Sequence, residues 1–134
     1  MTSPRPSTTP TFAARDATVL RASLVAVWLA TALASALEAH GQSAALLARG
    51  GVTSPTWAAF ALWSGVALDV VLGLLLWLRP RRAVFDIALA ATALMTVVAT
   101  VLLPAMWLHP LGPLVKNLPI VAVLFVLRRN APAP

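Results

Sequence analysis

Four apolar runs, separated by short polar breaks, organise the chain. They extend over residues 19–39, 57–78, 83–103 and 113–127. A bilayer core about 30 Å thick needs about 20 apolar residues per helix, which the first three runs supply. The runs are bounded by helix-stopping chemistry: GGVTSP precedes the second, with Pro55 placed for a helix start, RPRR follows it, and Pro104 ends the third. Ahead of them, MTSPRPSTTPTFAARD (residues 1–16) is too rich in Pro, Ser and Thr to build a core and is predicted to be a disordered tail. The expected fold is all-α, an integral membrane four-helix bundle forming one domain over 17–129, with a short tail at 130–134.

The fourth run is the irregular one. LHPLGPLVKNLPIVAVLF (108–125) sets three prolines, a lysine and an asparagine among apolar residues. Pro119 has no amide hydrogen, so the Val115 carbonyl loses its helical partner and the helix must break, by a kink or by a late start near Pro119. Asn117 can replace the lost donor or cap a helix beginning after it. Irregular backbone at membrane depth survives only where protein or a cavity covers it, so the break should be shielded from lipid. Lys116 lies a few residues below the surface, at a depth closer to Glu38 than to Asp69 by helical rise. Glu38 is its first expected partner, and snorkelling to the headgroups is the alternative.

Polar and small residues inside the runs mark candidate contacts, because leucine gains little by leaving lipid for protein. Ala22, Ala26, Ala30 and Ala34 form a small-residue stripe suited to close helix packing. Thr92, Thr96 and Thr100 share one face of the third run; each can bond its own i−4 carbonyl or face the bundle interior. Gly65, Asp69 and Gly73 share a face of the second run, placing a carboxylate near mid-membrane at nearly the depth of Thr92. A charge there is expensive, so Asp69 must face protein, be protonated or hold a partner. Hydrogen bonding to Thr92 and a functional role are both open. Glu38, His40 and His109 lie near the headgroups, and no spacing brings them together, so no metal site is expected. Asp86 is expected to pair with Arg82 at i, i+4.

Composition supports this architecture: 60% of the 134 residues are hydrophobic and 10% charged, with a mean hydropathy of +0.86. No cysteine is present, which removes disulfides, thiolate metal sites and dithiol redox chemistry. The net charge of +6 has a membrane explanation. If the runs cross in turn, Arg5, Arg15, Arg21, Arg79, Arg81, Arg82, Arg128 and Arg129 share one side, and only Arg49 falls in the opposite loops. By the positive-inside rule both termini are expected on the cytoplasmic side, the membrane expected being a cell (inner) membrane, and no nucleic-acid partner is needed to explain the charge. Trp57 and Trp107 at the outer interface and Trp77 at the inner one fit an aromatic belt. A competing pattern is Ala34-Ser35-Ala36, which resembles a signal-peptidase site after a basic head and an apolar run; the run is longer than such a signal needs.

HPLGPLVKNLPIVAVLF, following a third run that ends in LLPAMWL, resembles the closing signature of DoxX-like small membrane proteins. Gly65-xxx-Asp69-xxx-Gly73 is similar to that family's Gly-xxx-acid-xxx-Gly, with aspartate where glutamate is usual, and Trp28 fits its first-helix tryptophan. The resemblance implies a four-helix membrane protein, and some relatives are linked to quinone-dependent oxidoreductase systems. The expected role is a non-catalytic subunit or partner of a quinone-linked redox system. Its polar-pocket candidates are Asp69, Lys116, Asn117, Glu38, Thr92, Thr96 and Trp28. No catalytic set or resident cofactor is predicted, the ligand being a quinone or a lipid. A small oligomeric transporter or channel, and a membrane assembly factor, are the alternatives.

Overall fold

The computed structural model describes residues 14–39, 41–108 and 114–132, the side chains of Gln42 and Ser43 apart. His40, His109, most of the N-terminal tail and the start of the fourth apolar run lie outside the described residues. Every regular element among those described is helical. They are α1 (Ala14–Leu37), α2 (Gln42–Arg49), α3 (Pro55–Leu78), α4 (Arg82–Leu102), a 3-10 turn (Pro104–Trp107) and α5 (Asn117–Asn130).

Three of these, α1, α3 and α4, are long and apolar enough to cross a membrane. The first begins inside the segment expected to be a tail, so residues 14–16 are helical. Asp16 stands in its first turn, where a carboxylate suits the unpaired amides. Helix α3 starts with Pro55 at a position whose amide needs no helical acceptor. The short α2 replaces what the sequence suggested was a plain loop. It closes when the amide of Val52 reaches back to the Leu47 carbonyl (2.9 Å) and that of Gly51 to the Ala48 carbonyl (3.0 Å). This closure needs a left-handed residue, and Gly51 supplies it at φ 89°.

Helix α5, with 14 residues, is about 21 Å long and shorter than a bilayer core. The break expected near Pro119 is a late start, not a kink. Pro119 stands in the first turn, where amides have no intrahelical acceptor to lose. The Val115 carbonyl accepts from the Leu118 amide (3.1 Å) and the Leu114 carbonyl from the Asn117 amide (3.0 Å). Two tight turns therefore satisfy the backbone that the proline would have orphaned.

The core gathers Leu24, Val25 and Trp28 of α1, Leu72 and Leu76 of α3, Val84, Phe85 and Ala88 of α4, and Leu124 and Leu127 of α5. Neighbouring elements run antiparallel: Gly73 of α3 lies against Trp28 and Leu29 of α1, and Arg128 of α5 pairs with Asp86 of α4. That pair corrects the expected Arg82–Asp86 contact. Arg82 instead donates from Nε to the Ala131 carbonyl (3.0 Å). The antiparallel return of α5 offers Asp86 a cation from across the groove, which a neighbour on its own helix does not match in reach.

The alanine stripe of α1 is also corrected. Ala26, Ala30 and Ala34 are exposed, and the buried face is the opposite one carrying Leu24, Trp28 and Ala32. Outward surfaces are strongly apolar: Phe60 is 67% exposed, Leu94 63% and Val101 75%. An apolar exterior this extensive is that of a chain solvated by lipid.

Candidate functional site

Midway along the helices the core gives way to a cavity of about 160 Å³. Its wall repeats one motif four times. Val27, Trp28 and Thr31 come from α1, Leu68, Asp69 and Leu72 from α3, Ala91, Thr92 and Met95 from α4, and Lys116, Asn117 and Ile120 from the start of α5. Each set is i, i+1 and i+4, or its equivalent, so one turn of each segment contributes at the same depth. The wall is mostly apolar, and its polar groups are few and convergent, as in ligand sites generally.

The late start of α5 is what brings Lys116 and Asn117 to this place. Asn117 is the first helical residue, and its side chain does not cap its own helix. It donates from Nδ2 to Thr96 Oγ1 on α4 (2.8 Å). The threonines of α4 thereby satisfy both readings of their spacing. Thr92, Thr96 and Thr100 donate to the carbonyls of Ala88, Thr92 and Thr96 at 2.8, 2.7 and 2.6 Å. Their oxygens remain free to accept. Thr96 takes Asn117, and Thr100 takes the indole N–H of Trp107 (3.0 Å). A ladder of hydroxyls along α4 thus anchors both sides of the 108–116 connection.

Asp69 is half-buried. Among the described residues it has no hydrogen-bond partner or direct ion pair. Thr92 shares its cavity, but the threonine hydroxyl is committed to the Ala88 carbonyl. The neighbouring charge is Lys116, which acts electrostatically on Asp69 across the cavity. Of the two glycines flanking Asp69 on its face, Gly73 is packed: an added Cβ would lie 3.1 Å from Leu29 Cδ2. An added Cβ at Gly65 would meet nothing within 4 Å.

Of the residues expected from the sequence, Asp69, Lys116, Asn117, Thr92 and Trp28 line one cavity, and Thr96 braces it from behind. Glu38 is exposed beyond the end of α1 and is not part of the wall. Its carboxylate folds over Gly41, where an added Cβ would come within 2.7 Å of Oε2. Thr31 is the polar wall residue that sequence reasoning missed. It lies one helical turn from Trp28 on the same face, and extending that face would have found it.

The sequence profile of the DoxX-like family matches residues 25–125, a stretch containing every cavity-lining residue. Neither a curated protein nor a solved structure matches the chain. With the profile covering most of the sequence, the chain belongs to the DoxX-like family.

Proposed function

We propose that this protein is a four-span membrane protein with both termini on the cytoplasmic side, and that its mid-membrane cavity holds the head of a lipophilic carbonyl ligand of the quinone class. The observation that carries the reading is the meeting of Lys116, Asn117 and Asp69 in one largely apolar cavity beside Trp28. A void of about 150 Å³ accommodates a benzene-sized ring, and this one is about 160 Å³. A six-membered head would fill it while an isoprenoid-like tail stayed among the exposed apolar side chains and lipid.

Hydrogen-bond chemistry fits both oxidation states of such a head. Lys116 Nζ donates to a quinone carbonyl, and Asn117, which spends one Nδ2 hydrogen on Thr96, keeps a second. The carboxyl of Asp69 accepts from a quinol hydroxyl. A chain without cysteine offers no thiol couple to exchange electrons with that ligand, and the role we propose for it is a ligand-holding, non-catalytic subunit or partner of a quinone-linked redox system. Electrons would be supplied by the partner.

Binding is testable through Trp28, which forms part of the cavity wall. Titration of the detergent-solubilised protein with a short-tailed quinone analogue should quench tryptophan fluorescence saturably. Lys116→Ala combined with Asn117→Ala should weaken that binding by about tenfold or more, the worth of one or two lost charge-assisted hydrogen bonds. Unchanged affinity in the double variant would refute the site.

A further inference from the structure

The arginine-rich end of the molecule contains a second cleft, separate from the Asp69 cavity, of about 160 Å³. It opens between the first turns of α1 and α4 and the last turn of α5. Arg21 and Asn130 are its polar wall residues, and Ala17, Pro80, Phe85 and Leu127 supply most of the apolar wall. Two neighbouring arginines are engaged. Arg128 is paired with Asp86, and Arg82 donates from Nε to the Ala131 carbonyl, which fixes the C-terminal wall of the cleft.

Arg21 is different. Its Nε is buried and has no hydrogen-bond partner among the described residues, while its guanidinium lies 5.9 Å from the centroid of the Trp77 ring. A guanidinium cannot escape an unfavourable setting by losing its proton, so Arg21, which lines the cleft and pairs with no carboxylate among the described residues, calls for an anionic acceptor at the part of the guanidinium that the cleft exposes. The surroundings favour an anion too. Arg15, Arg21, Arg79, Arg81, Arg82, Arg128 and Arg129 cluster at this end against Asp16 and Asp86.

We infer that this cleft seats the phosphate of an anionic phospholipid. Arg21 and the second Nδ2 hydrogen of Asn130, whose first goes to the Val126 carbonyl (2.8 Å), take the phosphate oxygens, and the acyl chains run down the apolar side past Phe85 and Leu127. The volume suits a headgroup phosphate and not a whole lipid, and the opening lies where the cytoplasmic leaflet meets the helices in the proposed topology. Basic pockets between helix ends on that side are a recurring means of holding acidic lipids. The site and the Asp69 cavity do not depend on one another.

Native mass spectrometry of the delipidated full-length protein tests this, comparing phosphatidylglycerol with phosphatidylcholine of identical acyl chains. Preferential retention of phosphatidylglycerol is expected. Arg21→Gln should reduce that retention by about tenfold, the worth of a charge-assisted hydrogen bond. Arg79→Gln, an equal loss of charge at an exposed position, should reduce it less than about threefold. Ala17→Trp, which fills the cleft without changing charge, should also lose the lipid. The inference is overturned if Arg21→Gln or Ala17→Trp binds like the unaltered protein. It is equally overturned if Arg79→Gln loses as much as Arg21→Gln, which indicates diffuse attraction, or if millimolar inorganic phosphate displaces the lipid, which indicates a soluble-anion site.

Discussion

Single residues in this protein are judged against lipid instead of water, and that changes which of them matter. Gly65 and Gly73 read as equivalents on one face of α3, yet they have opposite surroundings. A methyl at Gly65 meets open space, and a methyl at Gly73 presses on Leu29. Gly65→Ala should therefore stabilise the helix by about 0.5–1 kcal/mol, the usual cost of glycine in a helix interior. Gly73→Ala should lose that gain to the displacement of Leu29. Thermal unfolding in detergent distinguishes the two, and equal shifts would contradict the packing described. The sequence exposed the rare polar residues readily, since Asp69, Lys116 and Asn117 are conspicuous in an apolar run. It could not sort the alanines. Ala26 and Ala32 have the same chemistry, and only the direction of the core, set by Trp28, makes one exposed and the other buried.

Elements show a different division. The long helices were legible because their length is dictated by the bilayer, and their ends by Pro55, Pro104 and the RPRR break. What was not legible is α2, whose eight residues are too few to carry a periodic signal. The placement of the fourth helix, at Asn117–Asn130 and not 113–127, differs too, because apolar residues ahead of Lys116 extend the run while the backbone at 114–116 turns. The placement of α5 rests on Asn117 and Thr96, and a double-mutant cycle measures it. Asn117→Ala and Thr96→Val should each cost about 1 kcal/mol. The two should couple by about 0.5–1.5 kcal/mol, because they remove one shared bond. Additive losses would mean that the contact contributes nothing to holding α5.

At the scale of the whole molecule, the charge asymmetry and the paired helices support one topology, and the absence of native cysteine makes it easy to test. Single cysteines at Thr53 and at Pro132 should label from opposite sides of sealed membranes, with Pro132 reactive on the cytoplasmic face. Labelling of both from the same face would exclude the four-span arrangement. The depth matching that brought Asp69 and Thr92 together in the sequence carried over to the cavity, since helical rise is the same in any antiparallel array. The position of Lys116 did not follow from such matching, because non-helical residues before α5 do not obey that rise. The hydroxyl ladder of α4 bears finally on biosynthesis. A helix as short as α5 gives the insertion machinery a weak signal of its own, whereas Thr96 offers its first residue, Asn117, a ready acceptor. The shortest of the apolar helices is thus held by the helix made before it, so insertion of α5 is expected to depend on α4 being in place.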